Sequence, residues 1–447
     1  RNSFLNFFSS KGHKIVPSSS LVPHEDPTIL FTNAGMNQFK GLFLGTEKKD
    51  FSRATTAQKC LRVSGKHNDF ENVGVTARHH TFFEMMGNFS FGDYFKEDAI
   101  KYAWEFVTEV LKIPKSLLWA TVFEEDDEGL KLWQTLTDIK PERVLKMTEK
   151  DNFWSMGDTG PCGPSSEIFV YVGNNPENQS EEEFRKDDGT YLEIWNLVFM
   201  QFDRDASGTL TPLPNPCIDT GLGLERAASV VDKVAGNYET DLLNPVIKLC
   251  EKLAGFKYQP GSYKNASLKE DKNYAKNVAM RVIADHSRSA AFLIADGVLP
   301  SSDGRGYVLR RILRRAIRHG KILEFKEPFL AKTTAEVVKN FSAQYKELSE
   351  AAETIRRVVD AEENKFYETL DAGLNILGKE VEKLKGSDLF PGETAFLLYD
   401  TYGFPLDLTE DALKTYGKQV DVDSYSSAMS AQRQRSREDR KSQDISY

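Results

Sequence analysis

Apolar residues follow two different periods along this chain, and the change falls near Tyr238. Before it, short apolar runs alternate with Gly, Pro and Asp, a pattern typical of strands joined by irregular connections. Beyond it, apolar positions recur every three or four residues, which predicts helices. A first helix is predicted over residues 2–11, where Gly12 ends it. The apolar runs before the change cover residues 14–16, 28–31, 81–86, 120–123, 167–172 and 193–202.

This pattern predicts an α+β chain of two domains. Residues 1–238 should form an antiparallel sheet that carries helices, and residues 239–447 should be helical. A helical seam is clearest where apolar residues step by four and three, at Leu370, Leu374, Leu377, Val381 and Leu384.

Composition narrows the class of protein. The 447 residues are 40% hydrophobic and 28% charged, as in soluble globular proteins. No apolar run reaches the roughly 18 residues of a membrane span, so no membrane partner is predicted. The four cysteines are far apart and form no CxxC, which argues against a disulfide framework and a zinc cage and fits a reducing cytoplasm.

Residues 53–94 place cations on a loop beside an apolar, aromatic return limb that includes Phe82, Phe83 and Phe89. Such a combination suits a nucleotide triphosphate, yet the chain has neither GxxxxGK[ST] nor GxGxxG after a strand. A metal site is the alternative, but HH followed by Glu84 lacks zinc spacing, so phosphate contact or loop structure is preferred. The cations and histidines are Arg62, Lys66, His67, Arg78, His79 and His80.

Three further segments carry candidate chemistry. Residues 151–169 are rich in Gly and Pro and are either a surface loop or a cover formed around Trp154. On the apolar run 193–201, Asn196 must find hydrogen-bond partners, for which a ligand and a neighbouring loop are equally good sources. Residues 217–231 predict a strand ending at Asp219, a glycine pair and a helix, which either bind an anion or form a plain capped turn.

Residues 305–321 contain seven Lys or Arg and no acid. Arg310, Arg314 and Arg318 recur every four residues opposite an apolar face, which predicts an amphipathic helix with an exposed basic stripe. The alternative is a solvated face paired to acids, but the absence of interleaved acids favours phosphate contact. The acidic runs at 124–128 and 180–184 are interpreted as solvated loops rather than metal ligands.

Together, these segments closely resemble the catalytic part of the alanyl-tRNA synthetase family, a class II aminoacyl-tRNA synthetase. The resemblance extends from about Ser3 to at least Ala428. It depends on eight segments in order: FTNAGMNQFK (31–40), GKHND (65–69), HHTFFEMMGNFSFGDYF (79–95), NFWSMGDTGPCGP (152–164), EIWNLVFMQF (193–202), DTGLGLER (219–226), GYVLRRILRRA (306–316) and LYDTYGFP (398–405).

The resemblance implies a class II antiparallel sheet flanked by helices, followed by a helical tRNA-recognition domain. It implies activation of L-alanine with ATP and Mg²⁺ to alanyl-adenylate, then transfer to the 3′ end of tRNA(Ala). The chain is expected to be a cytoplasmic, monomeric fragment that stops before any editing domain. Dimerisation of the full-length protein would use C-terminal parts outside it. No metal site made of protein ligands alone is expected.

The resemblance also implies roles for individual residues. Arg62 would bridge the α-phosphate and the substrate carboxylate, and Arg226 would grip the nucleotide. Asp219 would pair with the alanine ammonium, with Asn196 near the carboxylate. The remaining implied ATP contacts are Lys66, His80 and Phe89, and the remaining pocket residues are Trp154, Val198 and Gly221.

On the tRNA side, the basic-helix residues Arg310, Arg311, Arg314, Arg315 and Arg318 are expected to contact phosphates of the acceptor stem. The family reads a G·U pair there with an Asn and an Asp, and LYDTYGFP places the Asp at Asp400. The stretch PSSDGRGY holds no Asn, which leaves Ser302, Asp303 or the backbone as substitutes.

Two rival functions are weaker. A catalytically silent, tRNA-binding paralogue should lack residues such as Arg62 or Asp219, and both are present. An enzyme that loads alanine on a carrier protein should lack the basic helix.

Overall fold

The computed structural model describes residues 1–432 apart from 24, 25, 27, 65, 66, 264–270, 385 and 386. Contacts divide the chain into two compact units. The first contains Arg1–Phe70 and His80–Leu242, and the second contains Glu71–His79 and Leu243–Tyr447. The predicted division into domains of residues 1–238 and 239–447 stays a prediction.

The first unit combines helices with a large sheet. Its helices are α1 (Asn2–Ser10), α2 (Lys40–Phe43), α3 (Lys96–Glu105), α4 (Asp127–Leu136), α5 (Glu149–Asn152), α6 (Glu181–Phe184) and α7 (Leu224–Val231). Its strands are β1 (Lys14–Ile15), β2 (Arg53–Leu61), β3 (Val63–Ser64), β4 (His67–Asn68), β5 (Phe82–Phe91), β6 (Leu118–Phe123), β7 (Val144–Met147), β8 (Phe153–Ser155), β9 (Gly160–Tyr171), β10 (Tyr191–Arg204) and β11 (Leu210–Gly223).

Within the described residues, nine of these strands form one sheet in the order β1-β2-β5-β11-β10-β9-β6-β7, and β8 pairs with β9. The pairs β1/β2 and β6/β7 are parallel, and the pairs between them are antiparallel. The predicted α+β fold is therefore confirmed. The sheet is antiparallel at its centre and parallel at its ends.

The two faces of the sheet carry different cores. On one face, α1 and α3 cover a large cluster in which Phe4, Phe106 and Trp195 pack ring against ring. The opposite face carries a smaller cluster that includes Phe39, Phe89, Val198, Met200 and Cys217. The candidate site lies on this second face.

A hydrogen-bond chain ties the N-terminal helix to the central strands. His13 contacts the Phe8 carbonyl through Nδ1 (3.0 Å) and the Tyr94 hydroxyl through Nε2 (2.8 Å). Asn88 donates to that hydroxyl and accepts from the Thr220 hydroxyl at 2.6 Å. Burial lowers the pKa of His13 to about 4, so the ring is neutral and can donate from one nitrogen while accepting at the other.

Three local predictions differ from the structure. Residues 28–31 form turns and bends rather than a strand. The Gly- and Pro-rich segment 151–169 is largely strand, because β8 and β9 pair there with Trp154 opposite Gly163. The strand predicted to end at Asp219 continues to Gly223, and α7 follows directly with Glu225 and Arg226 in its first turn as predicted.

The second unit is mainly helical. It contains α8 (Asn244–Ala254), α9 (Lys272–Ala295), α10 (Gly304–Ile322), α11 (Leu330–Phe341), α12 (Lys346–Glu350), α13 (Ala352–Lys383), α14 (Gly392–Tyr402), α15 (Leu406–Lys414) and a parallel pair, β12 (Leu389–Phe390) with β13 (Gln419–Val420).

Helix α9 is the centre of this second unit, and its side chains are buried from Asn277 to Ile294. The fully buried Arg281 donates to the Gly74 carbonyl at 2.6 Å, which joins residues 71–79 to this unit. None of the helices in the described ranges is long and apolar enough to cross a bilayer.

Candidate active site

Four of the predicted site residues share one sheet face because of strand register. Asn196 on β10 is paired with Gly221 on β11, and Val198 is paired with Asp219. Directly paired residues of adjacent strands point to the same side. We call this side the site face. Trp154, on β8, packs half-buried against the cluster that contains Val198.

Asp219 is the buried carboxylate of the site face. Its side chain is 5% exposed, and burial raises the pKa of Asp219 to about 7. Among the described residues, no group forms a hydrogen bond or ion pair with this carboxylate. Burying an unpaired carboxylate costs free energy, so Asp219 is suited to bind a cation that comes from outside the chain.

Arg62 follows β2 and is the cation of the same region. Its Nε donates to the Asn33 carbonyl at 3.1 Å, and its guanidinium lies 5.1 Å from the centre of the Phe83 ring. Within the described ranges no carboxylate pairs with it. Phe83 lies two residues before Met85 on β5, so its ring, with Arg62 over it, is on the same side of the sheet as Met85, which packs against the cluster of Val198.

The apolar floor between these charges is tight. A Cβ atom on Gly221 would lie 2.8 Å from the Met85 sulfur, closer than real Cβ contacts. Met85 also packs against the cluster of Val198 and Trp154. Gly221 thus allows the Met85 side chain to approach the backbone of β11, and its place in the pocket stays a prediction. The structure adds Met85, which the sequence offered only as one apolar residue in a run.

A set of hydrogen-bonded polar side chains lies around Asn196. Asn196 donates through Nδ2 to Glu167 Oε1 at 2.8 Å, so its partner is a side chain of the neighbouring strand β9. Arg226 binds the Glu193 carbonyl at 2.8 Å and its carboxylate at 2.7 Å. Burial, with the charge of Glu193, raises the pKa of Glu167 well above its usual range. Sequence reasoning missed Glu167, although an acid within an apolar strand was a signal.

The predicted ATP contacts lie in different surroundings. Phe89 is paired with Asp219 and so belongs to the site face, but it is fully buried and its ring packs 4.8 Å from that of Phe39; its contact with ATP stays a prediction. His80 is buried beside Tyr238, and its Nε2 lies 2.9 Å from Asn237 Nδ2; its contact with ATP stays a prediction. Lys66 lies outside the described residues.

The site face thus offers a cation, a buried carboxylate and a small apolar floor. This arrangement suits a small zwitterion whose ammonium meets Asp219 and whose carboxylate points toward Arg62. In the described ranges, no group of three or more His, Cys, Asp or Glu could hold a metal ion.

The predicted basic stripe on α10 is wrong for three arginines of the second unit, which we call the arginine cluster: Arg314, Arg315 and Arg318. All three are buried. Arg314 donates to Glu362 at 2.7 Å and to the Gly403 carbonyl. Arg315 and Arg318 pair with Asp411. Burial opposes ionisation of Asp411, but Arg318 and Arg315 outweigh it and hold the pKa of Asp411 well below its usual range.

Other predicted tRNA contacts of the second unit remain accessible. Arg310 and Arg311 are half-buried, and Arg310 lies 3.4 Å from Glu362. Asp400 is exposed on α14, whose C-cap Gly403 has φ 70° and is held by Arg314. Asp303 is exposed at the N-cap of α10.

The family described as tRNA synthetases class II (A) matches residues 1–446 of this chain. The chain therefore belongs to the class II tRNA synthetases.

Within this class, the relatives that it matches include alanine–tRNA ligases. Those of Oleidesulfovibrio alaskensis and Methylococcus capsulatus are each 53% identical over 98% of the chain. That of Idiomarina loihiensis is 51% identical over 98%. The chain spans about half the length of these relatives, 49%, 48% and 49% respectively.

A solved structure, apo histidyl-tRNA synthetase of S. aureus, shares 9% identity with this chain at a TM-score of 0.32. The match covers 52% of this chain and 64% of the histidyl-tRNA synthetase chain.

Arg318→Ala should destabilise the protein by about 3 kcal/mol, because it removes one of the two arginines that compensate the buried Asp411 carboxylate. Arg310→Ala is the matched control on the same helix, and it should cost less than about 1 kcal/mol because Arg310 is half-buried. Urea unfolding measures both. Equally small losses would contradict a structural role for the arginine cluster.

Asp219→Asn should stabilise the fold at pH 8 by on the order of 2 kcal/mol. Since the pKa of Asp219 is raised to about 7, the wild-type fold loses stability as pH rises from about 4 to 7, and the variant does not. The gain should therefore vanish near pH 4. The exposed Asp303→Asn should change unfolding by less than about 0.5 kcal/mol at either pH. A pH-independent gain in Asp219→Asn would contradict the assignment.

Proposed function

We propose that this chain activates L-alanine with ATP and transfers the alanyl group to the 3′ end of tRNA(Ala). The observation that carries this proposal is the site face, where a buried carboxylate without a described partner and the Arg62 guanidinium flank a small apolar floor. The similarity to alanine–tRNA ligases over 98% of the chain supports the same function.

In the first step, a carboxylate oxygen of alanine attacks the α-phosphorus of ATP. The bond to the bridging oxygen breaks, and pyrophosphate leaves with its electron pair, giving alanyl-adenylate. Alanine is already ionised at neutral pH, so no general base is needed. The protein's task is to position the two reactants and stabilise charge, for which Arg62 is suited because its planar fork can bridge a carboxylate and a phosphate.

Each remaining residue has a separate task in this proposal. Asp219 pairs with the alanine ammonium, while Trp154, Val198 and Met85 enclose the methyl group. Arg226 turns from Glu193 toward the nucleotide, and Lys66 contacts its phosphates. A pocket of this kind discriminates against one methylene or hydroxyl by only about 10- to 200-fold, so glycine and serine should be activated weakly.

In the second step, a hydroxyl oxygen of the terminal ribose of tRNA attacks the alanyl carbonyl. The bond from the carbonyl carbon to the phosphate oxygen breaks, and AMP leaves with its electron pair and takes up the hydroxyl proton. For the second unit we propose acceptor-stem contacts by Arg310, Arg311 and Asp400, with Asp303 or Ser302 in the place of the expected Asn. The arginine cluster is left out, because its guanidinium groups are buried against acids.

The described carboxylates do not form a metal centre by themselves. Mg²⁺ would arrive bound to the ATP phosphates, the usual way in which it enters such sites. The four cysteines are free and buried, which suits a reducing compartment such as the cytoplasm.

Amino-acid-dependent ATP–pyrophosphate exchange without tRNA, across all twenty amino acids, tests the first step. Strong exchange with alanine and weaker exchange with serine and glycine are expected. Arg62→Ala should lower exchange at least about 100-fold, because a charge that acts in the transition state is lost. Arg62→Lys should recover only part of it, because lysine lacks the fork. If the wild-type chain supports exchange with none of the twenty amino acids, the proposal is refuted.

Asp400→Ala should abolish charging of tRNA(Ala) while leaving alanine-dependent exchange within about twofold, because Asp400 is exposed in the second unit and acts only on tRNA. Its exposed neighbour Thr401→Ala is the control and should leave both activities unchanged. Equal loss of charging and exchange in Asp400→Ala would contradict a role confined to tRNA.

A further inference from the structure

One atom of the site face lacks the partner that its burial demands. Asn196 Nδ2 donates to Glu167 Oε1 at 2.8 Å, but Asn196 Oδ1 is buried and has no hydrogen-bond partner among the described residues. A buried polar atom left without a hydrogen bond destabilises the fold. Such an atom at a binding face is commonly completed by a ligand.

The position of this oxygen indicates which part of a ligand completes it. Asn196 is paired with Gly221, which has no side chain, so the flexible Met85 side chain, rather than one from β11, occupies the position beside the amide. Asp219 lies two residues from Gly221 on the same face and is therefore the diagonal neighbour of Asn196, at a typical distance of about 7–8 Å. An ammonium group between them can donate one hydrogen bond to each side chain.

Glu167 determines which end of the amide faces this space. It is directly paired with Asn196 across β9 and β10, and it accepts from Nδ2. A carboxyl group keeps one oxygen able to accept whether or not the other carries a proton. Glu167 therefore holds the nitrogen of Asn196 away from the pocket and leaves only the oxygen, an acceptor, to face the ligand.

We propose that Glu167 is a positioning residue for amino-acid recognition. By holding Asn196 Nδ2, it directs Asn196 Oδ1 to accept a hydrogen bond from the substrate ammonium, together with Asp219. This inference rests on the proposed function. It differs from the role implied by the family resemblance, in which Asn196 lies near the substrate carboxylate.

The test compares inhibitors of alanine-dependent exchange that carry one charged end each. L-alaninol has the ammonium without the carboxylate, and L-lactate has the carboxylate without the ammonium. Glu167→Met keeps the length of the side chain but cannot accept from Nδ2. It should weaken inhibition by L-alaninol about tenfold and raise the KM for alanine similarly. Inhibition by L-lactate and the KM for ATP should stay within about twofold.

Two further variants separate positioning from simple support of the fold. Glu167→Gln keeps an acceptor oxygen and should restore L-alaninol inhibition to within about threefold of wild type. Asn196→Ala should resemble Glu167→Met, and combining the two should add little, because both remove the same interaction.

If Glu167→Met does not fold, the double variant Asn196→Asp with Glu167→Gln replaces it. In that variant the Gln amide donates to the Asp, and an Asp oxygen still faces the pocket. Retained inhibition by L-alaninol is expected.

The inference is overturned if Glu167→Met weakens inhibition by L-lactate rather than by L-alaninol. It is also overturned if the variant changes inhibition by both compounds and the KM for ATP to the same extent. In the double variant, loss of L-alaninol inhibition overturns it. Failure of the proposed function looks different, since the wild-type chain would then show no alanine-dependent exchange at all.

Discussion

The register between β10 and β11 is the constraint on which the candidate site depends. It pairs Asn196 with Gly221 and Val198 with Asp219, so residues from two separate segments of the sequence share one face. A slip of one residue would turn all side chains of one strand to the opposite face, where Trp195 and Phe106 pack. The large aromatic core therefore protects the register, and through it the arrangement of charges on the other side.

The two units differ in whether their buried charges are paired. In the second unit, arginines of α10 are paired with Glu362 and Asp411, so the charges stabilise the joining of helices. On the site face of the first unit, Asp219 and Arg62 have no oppositely charged partner in the described residues. Such unpaired groups reduce stability and are typical of sites where binding energy is provided by a ligand.

Local patterns in the sequence were sufficient for much of this structure. The helices α1 and α10, the strand containing Asn196 and the turn into α7 follow from apolar spacing and glycine placement. The partners of Arg314 and Arg318 could not be predicted, because Glu362 lies 48 residues and Asp411 93 residues further along the chain. The contact between Glu167 and Asn196 was missed for the same reason, since it requires the pairing of two strands. The roles of the site residues themselves stay predictions.

The close contact between Gly221 and Met85 links two distant positions of the sequence. A Cβ atom at 221 would fall 2.8 Å from the Met85 sulfur, so a larger residue at 221 requires a shorter or displaced side chain at 85. The volume of the pocket is therefore a joint property of both residues. Among related sequences, positions 85 and 221 should covary in size, and a change of amino-acid specificity by substitution at 221 alone requires the flexible Met85 side chain to move.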